Sequence, residues 1–433
     1  MVILDKIIFA SLVLLLALTP LPYGTVEVWS ITTWELWILA TALLWGIYAV
    51  KEGKLQIAAN PLVLPLLALL VIALVQLLPL TSAGDRHTIS YDAYSTLQAA
   101  IKLLVLILFF LLFATFVQTN ERRSLVVKTI IWLAFVLALV GIGQKYVSKA
   151  VWQRGTFGPF VNSNHFAGFL EMGIGLAVAL LISQNIRRER IAIYACVVLV
   201  LCGGVVVSGS RGGTLSLMAE AVFLALVAWP GRSKKGEGRG PLMRRAATAV
   251  VLFAVMLAGS MWLVGSDTLV EKFSQLSAQT PAELQEGENF DRSTIWRTTV
   301  PMIKDHPILG VGLGAYQFAY TRYDLSSGQE RLEQAHNDYL QIVTDAGVIG
   351  GVVALVFLVL LFARGFSAAQ THDPRRRAIV IGSLTGCFAI AVHSFVDFNL
   401  QVTSNAQLFL ALAALATVSR SDRREQESRF EEE

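Results

Sequence analysis

Cysteine is scarce: Cys196, Cys202 and Cys387 are the only three in 433 residues, each lies inside an apolar run, and none is paired at metal-ligand spacing. A disulfide framework and a zinc site are therefore not expected. Charge is sparse as well, with Asp, Glu, Lys and Arg making up 15% of the chain against 55% hydrophobic residues. The net charge of +4 is small and implies no nucleic-acid partner. No G-x-x-x-x-G-K-[ST] loop is present, which argues against an ATPase, and "GVGLGAYQ" (310–317) lacks the strand and crossover context of a dinucleotide site. No Asp-x-Asp pair or His/Glu ligand set suggests a metal, so neither metal nor cofactor is expected. Internal repeats of the transporter kind are also missing.

What the chain does have is long apolar runs and a mean hydropathy of +0.60, too apolar for a soluble domain of this length. The expected fold is an all-α polytopic membrane protein, one integral membrane domain over residues 1–433. A bilayer core of about 30 Å needs roughly 20 apolar residues per helix, and about twelve stretches qualify, within a range of ten to thirteen. They begin near Ile7, Ile31, Pro61, Ala99, Leu125, His165, Ile191, Gly212, Ala247, Gly347, Ala378 and Leu400. The first, Ile7 to Leu21, has Pro20 at its end and Pro22 just after it, without a small-residue cleavage site, and reads as a retained helix.

Basic connections alternate with neutral ones. "KEGK" (51–54), "NERR" (120–123), "RRER" (187–190), "GRSKKGEGRGPLMRR" (231–245), "DPRRR" (373–377) and the charged tail (418–433) fall on one side if every stretch spans. Lys and Arg are retained on the cytoplasmic side, so both termini are expected there. The opposite side receives the loops around residues 81–94 and 151–164, the short "SGSRGG" (208–213) and about eighty residues from Ser266 to Asp345. In that large loop, Trp296, Val300, Ile303 and Pro307 are spaced four, three and four apart, which predicts an amphipathic helix stopped at Pro307 that lies on the outer leaflet or caps the bundle. A glycine turn at Gly310, Gly312 and Gly314 and an aromatic stripe at Tyr316, Phe318, Tyr320 and Tyr323 follow, then a helix from about His336 through Phe362.

The polar residues on the outward side are the candidates for chemistry. At ~1.5 Å per residue the last of these helices is about 40 Å long, which puts His336 at or above the interface. There a neutral imidazole can accept a proton from an attacking hydroxyl; alternatively His336, Asn337 and Asp338 form only the polar start of a membrane helix, with Asn337 or Asp338 as its cap. Arg211 lies between Gly209 and the pair Gly212 and Gly213, where backbone N–H groups can approach an anion such as a diphosphate. The competing reading is an arginine reaching to lipid phosphates. Arg292 and Arg297 begin the amphipathic helix, where an anion is also favoured, or they form a solvated face. Arg154, Asn162, Asn164 and His165 precede the sixth helix as caps, turn formers or ligands. Lys102, Glu171 and Glu220 fall inside apolar runs and call for an internal partner or a polar cavity. Asp397, with His393 one turn before it, either orients a ligand or pairs with a cation.

Taken together, "SRGG" (210–213), "DRSTIW" (291–296), "HPILGVGLGAY" (306–316) and "AHNDYLQIVTDAGVIG" (335–350) resemble the O-antigen ligase family of bacterial envelope proteins. "NSNHFAGFL" (162–170) and "SFVDFNLQ" (394–401) resemble its flanking segments. The resemblance implies metal-independent transfer of a glycan from an undecaprenyl diphosphate carrier to an acceptor hydroxyl at the periplasmic face of the bacterial inner membrane. The acceptor would be lipid A-core, another glycan or a protein. It implies His336 as the catalytic residue and Arg211 and Arg292 as the diphosphate-binding residues. Arg154, Arg297, Asn164, His165, Asn337, Tyr339 and Asp397 are secondary candidates. A transporter or flippase is the reading of a different class, resting on the many spans and on the intramembrane Glu171 and Glu220.

Overall fold

The computed structural model describes residues 2–79, 88–147, 157–183, 188–227, 292–324 and 332–417. In chain order the helices are α1 (Val2–Leu18), α2 (Val28–Glu52), α3 (Val63–Gln76), α4 (Ala93–Phe116), α5 (Asn120–Val147), α6 (Ser163–Leu181), α7 (Arg188–Ser208), α8 (Arg211–Val227), α9 (Arg292–Asp305), α10 (Tyr316–Tyr320), α11 (Asp338–Ala368), α12 (Pro374–His393) and α13 (Thr403–Ala416). The protein is an all-α, multi-pass membrane protein. Each apolar stretch expected from the sequence coincides with one of these helices except that near Ala247, which lies outside the described residues. Among the described residues seven helices, α2, α4, α5, α6, α7, α11 and α12, are long and apolar enough to cross a membrane.

The shorter helices include one covered wholly by protein. Every residue of α13 is buried, from Thr403 to Ala416. A helix covered on all sides by protein need not match the bilayer, and at 14 residues α13 reaches only ~21 Å. It lies beside a close pairing of α6 and α12. A Cβ placed on Gly175 would meet the Gly382 carbonyl oxygen at 2.7 Å and the Gly386 N–H at 2.8 Å. Small residues there let two backbones touch, which is how helices associate where lipid supplies no hydrophobic drive.

Sharp helix starts have local causes. The side chains of Asp92, Asn162, Asn337 and Asp373 accept hydrogen bonds from the backbone N–H groups of Ser95, Asn164, Leu340 and both Arg375 and Arg376. Each satisfies donors that a helix N-terminus leaves unpaired. At the basic end Arg122 pairs with Asp5, and Asn120 donates to Asp373.

Two expectations about the region ahead of α11 are corrected. The helix was expected from His336 to Phe362; it starts at Asp338 and extends to Ala368, because Asn337 caps it and leaves His336 outside at φ +49°. The amphipathic helix ends at Asp305 and buries Ile295, Thr299 and Met302, whereas Val300 of the expected stripe is exposed. Ile295 and Met302 pack with Val311, Tyr316, Ala319, Tyr320 and Ala335, so α9 caps the bundle through the face adjoining that stripe. In α10 it is Tyr316 and Tyr320, one turn apart, that turn inward, while Phe318 is exposed.

A break at Gly347 (φ 68°, ψ −172°) divides α11. Beyond it, residues 348–368 form a segment of about 31 Å, one bilayer core thick. The break frees backbone groups, and the glycine turn takes them up. Val311 N–H donates to the Thr344 carbonyl at 2.9 Å, Gly312 N–H to that of Asp345 at 3.0 Å, and Val348 N–H to that of Pro307 at 2.8 Å. The Gln76 side chain, fully buried, donates to the carbonyls of Leu309 and Asp345 and accepts from Leu313 N–H. Buried backbone polar groups are nearly always paired, and here a loop far away in the chain does the pairing. Only glycine occupies the Gly347 conformation without strain, and a side chain there would strike the Ile308 carbonyl. Gly347→Ala is expected to cost at least about 1–3 kcal/mol, read as a lower thermal midpoint of the purified protein. An unchanged midpoint would show that the break is not obligatory.

Candidate active site

Asp397 lies four residues past the end of α12, with its side chain fully buried. Residues from three other regions converge on it. Arg292, the first residue of α9, places a guanidinium nitrogen 3.3 Å from Oδ2. Asn164, in the first turn of α6, donates its side-chain amide to the same oxygen. His165 Nε2 stands 3.6 Å from Oδ1, and His336 Nδ1 stands 3.9 Å from it. Phe398 N–H donates to Oδ1 at 2.8 Å. The Phe398 ring meets both imidazoles edge to face, at 4.6 Å from His165 and 4.7 Å from His336. Five of the sequence candidates, Asn164, His165, Arg292, His336 and Asp397, are thus one cluster.

The two turns that bring His336 to Asp397 are locked to each other. Asp338 N–H donates to the carbonyls of Ser394 at 2.9 Å and Asp397 at 3.2 Å. Its carboxylate accepts from Ser394 Oγ at 2.7 Å and from Leu400 N–H at 3.2 Å. Asn337 caps α11 and also donates to the Phe395 carbonyl at 2.9 Å, and the Tyr339 hydroxyl donates to the Ala391 carbonyl at 2.7 Å. Asn337 and Tyr339 therefore join α11 to α12 and hold the turn that presents His336. Phe398 was not singled out by the sequence, and Asp338 only as a cap or part of the turn supporting His336. A carboxylate two residues after the histidine was the available signal for Asp338, and nothing marked Phe398.

The charges have definite effects. Burial pushes the His336 proton affinity down, and Arg292 and His165 add to this, while Asp397 opposes it; the net direction is below the ordinary histidine value. For Asp397 burial works upward, yet the close approach of the His165 imidazole, the charge of His393 and the Phe398 N–H together hold its carboxyl at about 2. It is an anion throughout the physiological range.

Arg211 is elsewhere. It opens α8, half-buried, just after Gly209 at φ +71°, with Ser210 Oγ accepting from Gly213 N–H. Among the described residues it makes no hydrogen bond and no ion pair with the Asp397 cluster. The next residue packs on His393: a Cβ on Gly212 would lie 2.7 Å from its Nε2. His393 is fully buried and pairs with Glu171 at 3.1 Å, the internal partner expected for that acid. Glu220 has no partner for either oxygen among the described residues. Lys102 donates to the Gln401 carbonyl at 2.7 Å. Arg297 is exposed on α9 away from the cluster, and Arg154 lies outside the described residues.

A half-exposed imidazole backed by a carboxylate can take a proton from a hydroxyl. An arginine with one nitrogen on Asp397 and 37% of its side chain exposed has further donors for an anionic ligand. Residues 196–355 match the model of the O-antigen ligase family. The O-antigen ligase match carries Arg211, Arg292 and His336 and leaves Asn164, His165 and Asp397 outside it. No curated protein was found to match the chain.

Because the Asp397 carboxyl is held low, at about 2, its contribution to stability is present above the ordinary value near 4 and is lost as pH falls through 2. Asp397→Asn is expected to lower stability by about 1–3 kcal/mol at neutral pH. The gap in thermal midpoint between the two proteins should close as pH is lowered below 4. A gap independent of pH would show that the charge is not what matters.

Proposed function

We propose that the protein is a membrane glycosyltransferase that moves a glycan from an undecaprenyl diphosphate carrier to an acceptor hydroxyl, with O-antigen ligation to lipid A-core as the leading case. Polymerisation of repeat units and transfer to protein are the same chemistry with a different acceptor. The observation that carries the reading is the meeting of His336 and Arg292 on buried Asp397, inside and beside the O-antigen ligase match. A transporter reading has less support, since the cluster gathers at helix ends and the sequence has no internal repeat of the transporter kind.

In the proposed step the donor's lipid tail lies along the bundle and its diphosphate sits against Arg292 and Arg211. His336 turns Nδ1 inward toward Asp397, which leaves Nε2 to face the acceptor. The acceptor oxygen attacks the anomeric carbon from the side opposite the diphosphate, and the bond from that carbon to the phosphate oxygen breaks. His336 takes the acceptor proton, and the arginines stabilise the charge that grows on the departing diphosphate. The configuration at the sugar inverts. The site would face the periplasm of a bacterial inner membrane with both termini cytoplasmic, and the step requires no metal or cofactor.

His336→Ala is expected to abolish transfer while the protein stays folded in the membrane. Arg292→Ala and Arg211→Ala should each lower kcat by roughly 10²–10³. Because burial lowers the proton affinity of His336, the acid limb of kcat/KM should fall below pH 6.5. The assay is glycan transfer from a lipid diphosphate-linked donor by purified protein with a chelator present. Transfer by His336→Ala near the wild-type rate, or a need for added divalent metal, would overturn the reading.

A further inference from the structure

One oxygen of Asp397 is claimed three times. An ionised carboxylate oxygen has about two lone-pair directions, and Phe398 N–H, at 2.8 Å, takes one from Oδ1. His165 Nε2 at 3.6 Å and His336 Nδ1 at 3.9 Å face what is left. Both nitrogens are buried, and neither has a hydrogen-bond partner among the described residues. Oδ2 offers no relief, since Asn164 and Arg292 already occupy it. The Phe398 ring meets both imidazoles edge to face, and with its N–H already on Oδ1 about one lone-pair direction is left there for two imidazole nitrogens.

We infer that His165 is a positioning residue that competes with His336 for Asp397 Oδ1 and so sets how strongly the carboxylate supports His336 as a base. The inference rests on the role given to His336 above. When the His165 N–H donates to Oδ1, the His336 Nδ1–H lacks an acceptor, and taking up a proton at Nε2 is disfavoured. When His165 withdraws, Asp397 accepts from His336 and steadies the imidazolium formed as the acceptor proton arrives. His165 need not touch the substrate. Its place is set by the start of α6 and by Asn405, whose amide donates to the His165 carbonyl at 3.0 Å. The charged and titratable groups around the pair are Arg292 from α9, Asp338 at the head of α11, and His393 from α12, with Glu171 behind His393.

The test compares two substitutions. His165→Leu removes the N–H donor, and His165→Gln keeps one. In the leucine variant the acid limb of kcat/KM should move to higher pH, by about half a unit to one unit, while the glutamine variant stays near the wild-type profile. A loss of rate in both variants with the acid limb unmoved would leave His165 a purely structural residue and overturn the proposal. Equal shifts in both would also overturn it, because loss of a donor would then not be the cause. A readout independent of activity is the titration of the His336 ring in 15N-histidine-labelled protein, assigned by its loss in His336→Ala. It should follow the same pattern and vanish as a difference in an Asp397→Asn background. His165→Met serves if the leucine protein is not recovered folded. If the wild type transfers no glycan at all, the glycosyltransferase reading fails while the ring titration still decides the competition.

Discussion

A single buried carboxylate organises the end of the bundle where the candidate chemistry lies. Asp397 would be costly in an apolar interior without partners, since an isolated buried charge loses its hydration. Asn164, Arg292, His165, His336 and the Phe398 N–H supply what water would have given. Meeting that demand draws together the start of α6, the start of α9, the approach to α11 and the turn after α12. Removing the carboxylate would leave an arginine and two imidazoles facing one another with nothing to reconcile them.

The second constraint is the broken helix. A helix interrupted within an apolar bundle must find partners for the backbone groups it frees, because neither hydrocarbon nor apolar side chains offer any. Here the partners come from the turn at 307–313 and from Gln76 at the end of α3. The result is a rigid platform made largely of main chain. It fixes the short first segment of α11, and with it the turn at Asn337 that presents His336 from a left-handed backbone position.

Much of this architecture was legible in the order of apolar runs, because run length reports directly on helices that must satisfy their own backbone. The glycine turn at Gly310, Gly312 and Gly314 was legible for a similar reason, and all three adopt positive φ. The break at Gly347 was not, since a lone glycine inside an apolar run is common in membrane helices, and its partner loop is remote. The inward face of α9 was placed one residue off because Ile295, Thr299 and Met302 follow nearly the same period as the stripe beside them. The cluster around Asp397 was visible only as separate candidates. Their convergence depends on contacts over 105 and 233 residues of chain, which no local pattern encodes.

Those separations have a consequence for biogenesis. Chains are made from the N-terminus, and early segments begin to organise before later ones exist. Asn164 enters the membrane region with its partner still 233 residues from being synthesised. His165, Arg292 and His336 are likewise laid down before the carboxylate that reconciles them. The assembling protein therefore holds Arg292 without its carboxylate over the 105 residues that separate them, and the cluster closes only once α12 and the turn after it have been made.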